Sequence, residues 1–473
     1  MDKHSNIRKT APALIYLPLL FLFLMSCGED RREEYYEETK VDRWIEKTML
    51  QNYYWYKEIP STDKALNYFM APDKFFQYFL SKKDGKIKHG KHYPYSYIEE
   101  LNATTETRSL SNTENSYGFE FASYSNKEMQ NIYLRVLYVI PDSPAHQAGL
   151  QRGDWIIAIN KEEIDNSWIN QLFNGGGAID VQLAHYDNEE QTIVPTQQIT
   201  LPAARAIEDN PVYTYNTITH TNYTIGYLAY NHFTPGKKEG DSSYDQELRK
   251  LSKEFKEKGV NEFVLDLRYN NGGYISSASL LCEILAPASA KNNVLFYLKY
   301  NDKHKNPFEE QRFNESWNKG GVNLDLNRLY VLTSNASASA SELVINCLSP
   351  YMEVILIGTQ TEGKNVGSTT YTDEDDQWAI HPIICEIFNA EKSSDYSQGF
   401  TPNFVLDEFQ FMDDFYDLGD PKELLFNFAI HKITNKETAT LSNIYSRGVN
   451  HSTANLYKTS LDRKASPVII NLH

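Results

Sequence analysis

The sequence predicts an α/β core that carries a small β-rich domain and follows an N-terminal helical domain. Three stretches predict it. Val264-Leu265-Asp266-Leu267 and Val354-Ile355-Leu356-Ile357-Gly358 read as buried strands, and between them Leu343, Val344, Cys347 and Leu348 recur at helical spacing. Residues 143–160 read as a short helix stopped by Gly149, a turn at Gly153-Asp154 and a strand running into a core. Residues 41–80 carry Trp44, Ile45, Met49, Tyr53, Tyr54 and Trp55, then Phe69, Phe75, Phe76, Tyr78 and Phe79, at mixed helical spacing. Aromatics so placed form a core and not a ligand cage.

A chain of 473 residues suggests about three domains at roughly 150 residues each, and 41% hydrophobic residues suffice for sizeable cores. The net charge of −17 argues against nucleic acid as a partner, because phosphate binding needs clustered Lys and Arg.

Taken in order, Lys3, Arg8 and Lys9 precede an apolar run from Ala11 to Met25 that is short for a membrane span and ends in Leu24-Met25-Ser26-Cys27. This resembles a lipoprotein signal, residues 1–26, and implies lipidation of Cys27 and export to the cell envelope, facing the periplasm or the cell surface. Residues 27–40, acidic and polar, read as a tether lifting the body off the membrane. The helical domain is expected over 41–105, with polar linkers or loops near 81–94 and 103–115. A β-rich domain is expected over 106–205, the α/β core over 206–436, and an extension outside the core over 437–473. Cys282, Cys347 and Cys385 stand far apart in apolar stretches and read as buried core residues, not a disulfide framework.

The chemistry centres on Ser337-Ala338-Ser339-Ala340-Ser341-Glu342 and on Lys364, 25 residues past the middle serine. A serine hydroxyl is a poor nucleophile until a neighbour takes its proton. A lysine can do so only when neutral, which near pH 7 asks for a pKa drop of roughly 3 units, supplied by an apolar pocket. A serine opening the helix marked by Leu343 and Val344 also has free backbone N–H groups beside it, suited to an oxyanion. A third segment, Asp266-Leu267-Arg268-Tyr269-Asn270-Asn271-Gly272-Gly273, reads as a strand end, a glycine turn and then a helix near Ile275. With no P-loop Lys-Ser/Thr and no G-x-G-x-x-G, that turn suits an oxyanion better than a phosphate.

Asp-Leu-Arg-x-Asn-x-Gly-Gly, the Ser-Ala-Ser-Ala-Ser-Glu run and Gly363-Lys364 together resemble the carboxy-terminal processing (tail-specific) serine peptidases, relatives of tricorn. Ile225-Gly226-Tyr227-Leu228 and Gly399-Phe400-Thr401-Pro402-Asn403 agree, the latter departing from the family's Gly-Ile-x-Pro-Asp at Phe400 and Asn403. The resemblance implies a crotonase/ClpP-like α/β core, a β-sheet with flanking helices. It implies Ser339 as nucleophile, Lys364 as general base, and the N–H groups of Ala340 and of Gly272 or Gly273 as oxyanion hole, with Ser337 and Ser341 structural. Where some members orient the lysine with Asp eleven residues after the serine or Gln four after the lysine, this chain has Pro350 and Ser368. Ser368 is the remaining orienting candidate.

Residues 143–160 resemble a bacterial PDZ domain. In that fold Tyr117, Gly118 and Phe119 would form the loop and edge strand that receive a peptide C-terminus by strand addition, or the domain would only dock on its own peptidase and gate it.

Other chemistry has little support. None of the 12 histidines forms H-E-x-x-H or lies at zinc spacing from cysteine. His381 is the alternative base. Asp373-Glu374-Asp375-Asp376 lacks the calcium-loop pattern and reads as a solvated hairpin tip. The expectation is an exported, lipid-anchored serine endopeptidase acting on unfolded or C-terminally exposed polypeptides, with no metal or organic cofactor. The alternatives are a non-catalytic peptide-binding lipoprotein and an oligopeptide-degrading nutritional peptidase.

Overall fold

The computed structural model describes residues 31–60, 66–88, 90–101, 115–126, 132–187, 189–190, 192–412, 415–435, 454–463 and 468–470. The signal segment and Cys27 lie outside them.

Buried strands without polar alternation form the α/β core, as the apolar runs predict. Its sheet is ordered Val212–Thr219, Thr224–Tyr230, Glu262–Asp266, Arg328–Thr333, Glu353–Gly358, Phe404–Val405. Every pairing after the first is parallel. Parallel neighbours need long crossovers, supplied by helices Ser243–Glu257, Ile275–Leu285 and Ala340–Leu348. These helices cover one face of the sheet through Leu248, Leu281, Leu343 and Val344. Helix Leu424–Thr434 covers the other through Phe426, Phe428 and Ile433. In such open sheets, sites form beyond the carboxyl ends of the strands, where both the Asp266–Gly273 turn and the serine run lie. A second sheet runs Gly273–Tyr274, Val468–Ile469, Val366–Ser368, Ile383–Asn389, Val294–Tyr300, Phe308–Arg312.

The β-rich domain orders its strands Thr192–Leu201, Ile179–Asp187, Trp155–Ile159, Ile132–Val139, Phe119–Asn126. Ser143 caps helix Pro144–Gln147, its Oγ accepting the His146 N–H at 3.1 Å. Phe119, Phe121, Leu134, Ile156 and Val181 pack inward. Ala122, Tyr124 and Trp155 face the α/β core instead. A buried ion network ties the two bodies. Arg152 reaches Glu408 at 2.8 Å and the Tyr269 hydroxyl at 2.7 Å, while Arg268 pairs with Asp266 at 2.8 Å and with Glu423 at 2.6 Å. Although burial opposes it, Arg152 and Arg268 hold the Glu408 carboxyl below its usual range.

Three expectations are corrected. Helix Arg32–Asn52 takes in most of the segment read as a tether. Glu33 and Glu34 suit a helix N-terminus, and a buried stripe runs through Thr39, Asp42, Ile45 and Met49. The N-terminal domain is also not wholly helical. Hairpin Lys86–Lys88/Lys91–Tyr93 lies in the supposed linker, and strand Tyr97–Glu100 pairs with Trp378–His381 of the core. Finally, the extension does not stand apart. Ala454–Thr459 pairs antiparallel with Phe119–Asn126, and Val468–Ile469 enters the second sheet. Strands held by backbone bonds need few apolar side chains, so their polar composition hid them.

Candidate active site

Strand Arg328–Thr333 delivers the serine run, and two of its serines stitch it to the glycine turn. Ser337 Oγ donates to the Leu267 carbonyl at 2.8 Å and Ser341 Oγ to the Asn270 carbonyl at 2.9 Å, while the Ala338 N–H reaches the same Asn270 oxygen at 3.1 Å. Ser339 stands between them with φ +65° and ψ −113°, a conformation rare for a side-chain-bearing residue. It is fully buried, and among the described residues its Oγ has no hydrogen-bond partner. Helix Ala340–Leu348 starts immediately after it, so the Ala340 N–H belongs to the unsatisfied first turn.

The turn after Asp266 presses against this serine. A Cβ at Gly272, whose φ is +108°, would lie 2.7 Å from Ser339 Cβ, a contact only glycine permits. The Gly272 N–H donates to Asn270 Oδ1 at 2.8 Å and is therefore committed within its own turn. Phe233 takes one edge of the next residues, donating to the Gly272 carbonyl at 2.9 Å and accepting the Tyr274 N–H at 2.7 Å. Because backbone groups alternate along an extended chain, Gly273 directs its N–H and carbonyl to the opposite edge.

Lys364 is 2% exposed. Its Nζ lies 5.0 Å from the centre of the Tyr95 ring, contributed by the N-terminal domain. Burial pushes its pKa down to about 8, against the opposing pull of Asp84, Glu362 and Glu342. Asp84 is itself occupied, accepting the Tyr53 hydroxyl at 2.8 Å and the N–H groups of Tyr95 and Ser96 at 2.9 and 3.1 Å. Glu362 pairs with Lys88 at 2.9 Å.

Glu342 binds the pieces together. Its Oε2 accepts the N–H of Ser339 at 3.0 Å and of Lys364 at 2.8 Å. Its Oε1 accepts the Gly363 N–H and the Thr361 hydroxyl, both at 2.6 Å. Burial raises this carboxyl to about 7, while the four donors favour its ionised form.

The sequence places the chain among known proteins through the same residues. Residues 224–406 match peptidase family S41, residues 40–97 the peptidase S41 N-terminal domain and residues 135–169 a PDZ domain. A crystal structure of a Bacteroides fragilis NCTC 9343 protein, described as of the S41 protease type, is 36% identical and superposes with a TM-score of 0.74, covering 83% of this chain and 97% of that one. This chain belongs to peptidase family S41. Among curated S41 relatives, a carboxyl-terminal-processing protease of Picosynechococcus is 27% identical over 49% of this chain and 51% of its own length. Carboxyl-terminal-processing peptidase 1, chloroplastic, of Arabidopsis thaliana is 24% identical over 54% of this chain and 48% of its own. The chain thus spans about half the length of these curated S41 relatives.

Within this S41 fold the remaining candidates fall as follows. Ser368 lies buried on the strand leaving Lys364, and its carbonyl accepts the Ile470 N–H at 2.9 Å. His381 is away from the serine, stacked on Tyr97 at 4.1 Å, with Nε2 3.0 Å from Glu99 and Nδ1 3.0 Å from Thr370. Asp373 closes a hairpin tip by accepting the N–H groups of Gln377 and Trp378. In the PDZ domain Tyr117 donates its hydroxyl to the Gly177 carbonyl at 2.6 Å, Gly118 donates its N–H to Ser116 Oγ at 3.0 Å, and Phe119 packs into the domain's core. The strand expected to offer an open edge to peptides already pairs with Ala454–Thr459.

Sequence reasoning missed Glu342 and Tyr95 as parts of the site. Glu342 had a signal, because Ser-x-x-Glu is a capping-box pattern whose carboxylate turns back to the serine N–H. Tyr95 had none, since only the tertiary fold brings it to the lysine.

Proposed function

We propose that the chain is a serine endopeptidase in which Ser339 attacks the scissile carbonyl and Lys364 takes its proton and returns it to the leaving amine. The oxyanion would rest on the N–H groups of Ala340 and of Gly272 or Gly273, once the first glycine is released from Asn270 Oδ1 or the second from the edge held by Val468–Ile469. The observation that supports the reading is the Glu342 oxygen that accepts the backbone N–H groups of both Ser339 and Lys364, the one a buried serine on a strained backbone and the other a buried lysine of lowered pKa. Ser368 is the candidate for orienting the lysine. Unfolded or C-terminally exposed polypeptides are the proposed substrates, with the PDZ domain assisting their recognition by strand addition. The Leu24-Met25-Ser26-Cys27 pattern supports lipid anchoring through Cys27 in the cell envelope, tested by labelling with a fatty-acid analogue that a Cys27→Ala variant should not incorporate.

The activity is tested by incubating the folded protein with an unfolded protein at pH 7 to 9 and mapping cuts by mass spectrometry, beside Ser339→Ala and Lys364→Ala. Loss of cleavage in both variants supports the dyad. Cleavage surviving Lys364→Ala would assign the base elsewhere, and binding without cleavage would favour a peptide-binding module.

A further inference from the structure

The chain's own residues 454–463 and 468–470 hold two strand-accepting edges of the molecule. The first is on the PDZ domain. Ala454–Thr459 lies antiparallel to Phe119–Asn126, with Asn455 opposite Ser125, Leu456 opposite Tyr124 and Thr459 opposite Ala122. Ser123 Oγ donates to the Lys458 carbonyl at 2.7 Å, the Phe121 N–H donates to Ser460 Oγ at 2.8 Å, and that hydroxyl donates to the Glu120 carboxylate. This is the geometry in which PDZ domains add a peptide strand.

The second edge is at the active site. Leu461 is buried, and its carbonyl faces the Asn271 side chain at 3.5 Å, in the glycine turn itself. Val468–Ile469 then runs parallel to Gly273–Tyr274, while Ile469 stands opposite Ser368 on its other side. The Ile470 N–H donates to the Ser368 carbonyl at 2.9 Å, and Thr369 Oγ1 donates to the Ile470 carbonyl at 2.9 Å. Ile470 packs so close to Gly367 that a Cβ there would meet its Cδ1 at 2.8 Å. The strand therefore lies between the element carrying Gly273 and the element leaving Lys364, on the edge toward which Gly273 directs its N–H.

Most of these bonds use backbone groups of the docked pieces, which any extended polypeptide also offers, while two depend on the Ser460 hydroxyl. Of the β-branched apolar pair Ile469 and Ile470, Ile469 is half-buried and Ile470 packs into the hydrophobic core. On the PDZ edge the docked piece is exposed at its start, with Leu456 at 40% exposure, and buried at Thr459, Ser460 and Leu461.

We propose that these two docked pieces are an intramolecular occupant of the substrate's path, which holds the peptidase latent until an extended polypeptide with β-branched apolar residues displaces them. The proposal rests on the endopeptidase reading of Ser339 and Lys364. Release lets the site open in a larger fraction of molecules, and apparent turnover rises with that fraction.

The test uses the full chain, with Ser460→Ala loosening the PDZ contact and Ile470→Asp the cleft contact. Two readouts are compared with wild type: the initial rate on an unfolded protein, and the fluorescence polarisation of a labelled peptide copying residues 454–463. Both variants are expected to cut about tenfold faster, and Ser460→Ala to bind the peptide where wild type does not. Variants that keep the wild-type melting temperature but cut no faster would make the segment an ordinary structural strand and overturn the proposal. Should Ile470→Asp fail to fold, Thr369→Val, which deletes one hydrogen bond to Ile470, carries the same comparison. If no form cleaves, the endopeptidase reading fails by itself. Peptide binding then decides the occupancy: binding to Ser460→Ala alone upholds it, and equal binding to both proteins refutes it.

Discussion

Ser339 and Lys364 are held by the same atom, Glu342 Oε2, which accepts their N–H groups at 3.0 and 2.8 Å. The register of the proposed nucleophile and base is thus set through the backbone, and a buried carboxylate sets it.

Glu342→Gln keeps the volume of that group but offers one acceptor where four donors converge. With the serine and lysine strands no longer drawn to one point, kcat is expected to fall by about 10²-fold with KM little changed, the scale of a displacement near 1 Å. Steady-state kinetics on a fluorogenic peptide would check it; a change confined to KM would contradict it.

To act as the proposed base the lysine must be neutral, and its pKa is pushed down to about 8, while Glu342, raised to about 7, accepts its donors best when ionised. Both requirements are met as pH rises, so kcat/KM should climb from pH 6 to about 9 and then level. The lysine also marks stability. Its folded value lies below the ordinary 10.5, so between about 8 and 10.5 the unfolded chain holds a proton that the folded chain has shed. Stability gained from this group therefore rises with pH across that window. Lys364→Met should lack the rise and be more stable at pH 7 by about 3 kcal/mol, while losing cleavage. Urea melts at pH 7 and 10 would measure both.

Removing Tyr95 should change the lysine's titration without touching the serine. Tyr95→Ala opens the wall 5.0 Å from Nζ to water and is expected to move the rising limb of the pH profile to higher pH. Tyr95→Phe keeps the ring, and since the hydroxyl is buried without a partner among the described residues, it should leave both profile and melting temperature intact. Identical pH profiles for Tyr95→Ala and wild type would remove Tyr95 from the site.

The backbone at Ser339, φ +65° and ψ −113°, suits glycine. Ser339→Gly is expected to be more stable than Ser339→Ala by about 1 kcal/mol, strain relief exceeding the entropy that glycine costs. Paired denaturant titrations would measure the difference; equal stability would mean that the site stores no strain there.

The α/β core was legible because strands buried on both faces leave long apolar runs, as around Val264 and Leu356. Ser339, Lys364 and the Gly272-Gly273 turn stood out because their chemistry is written in short motifs. Other parts depend on partners distant in sequence. Tyr95 and Asp84 look like ordinary polar-aromatic loop residues until the N-terminal domain packs on the core. Residues 454–459 form a strand because an edge waits for them, and their own pattern does not announce it. Helix Arg32–Asn52 was cut short at Val41 because charge at its start resembled a solvated tether, although acidic residues favour a helix N-terminus.

The wall that Tyr95 gives to the lysine pocket ties the basicity of Lys364 to the N-terminal domain. Without the Tyr95 ring against it, Lys364 would meet more water and hold its proton to higher pH, so the base proposed for Ser339 depends on a residue from outside the peptidase core. Under the proposed mechanism, competence requires segments far apart in sequence to meet.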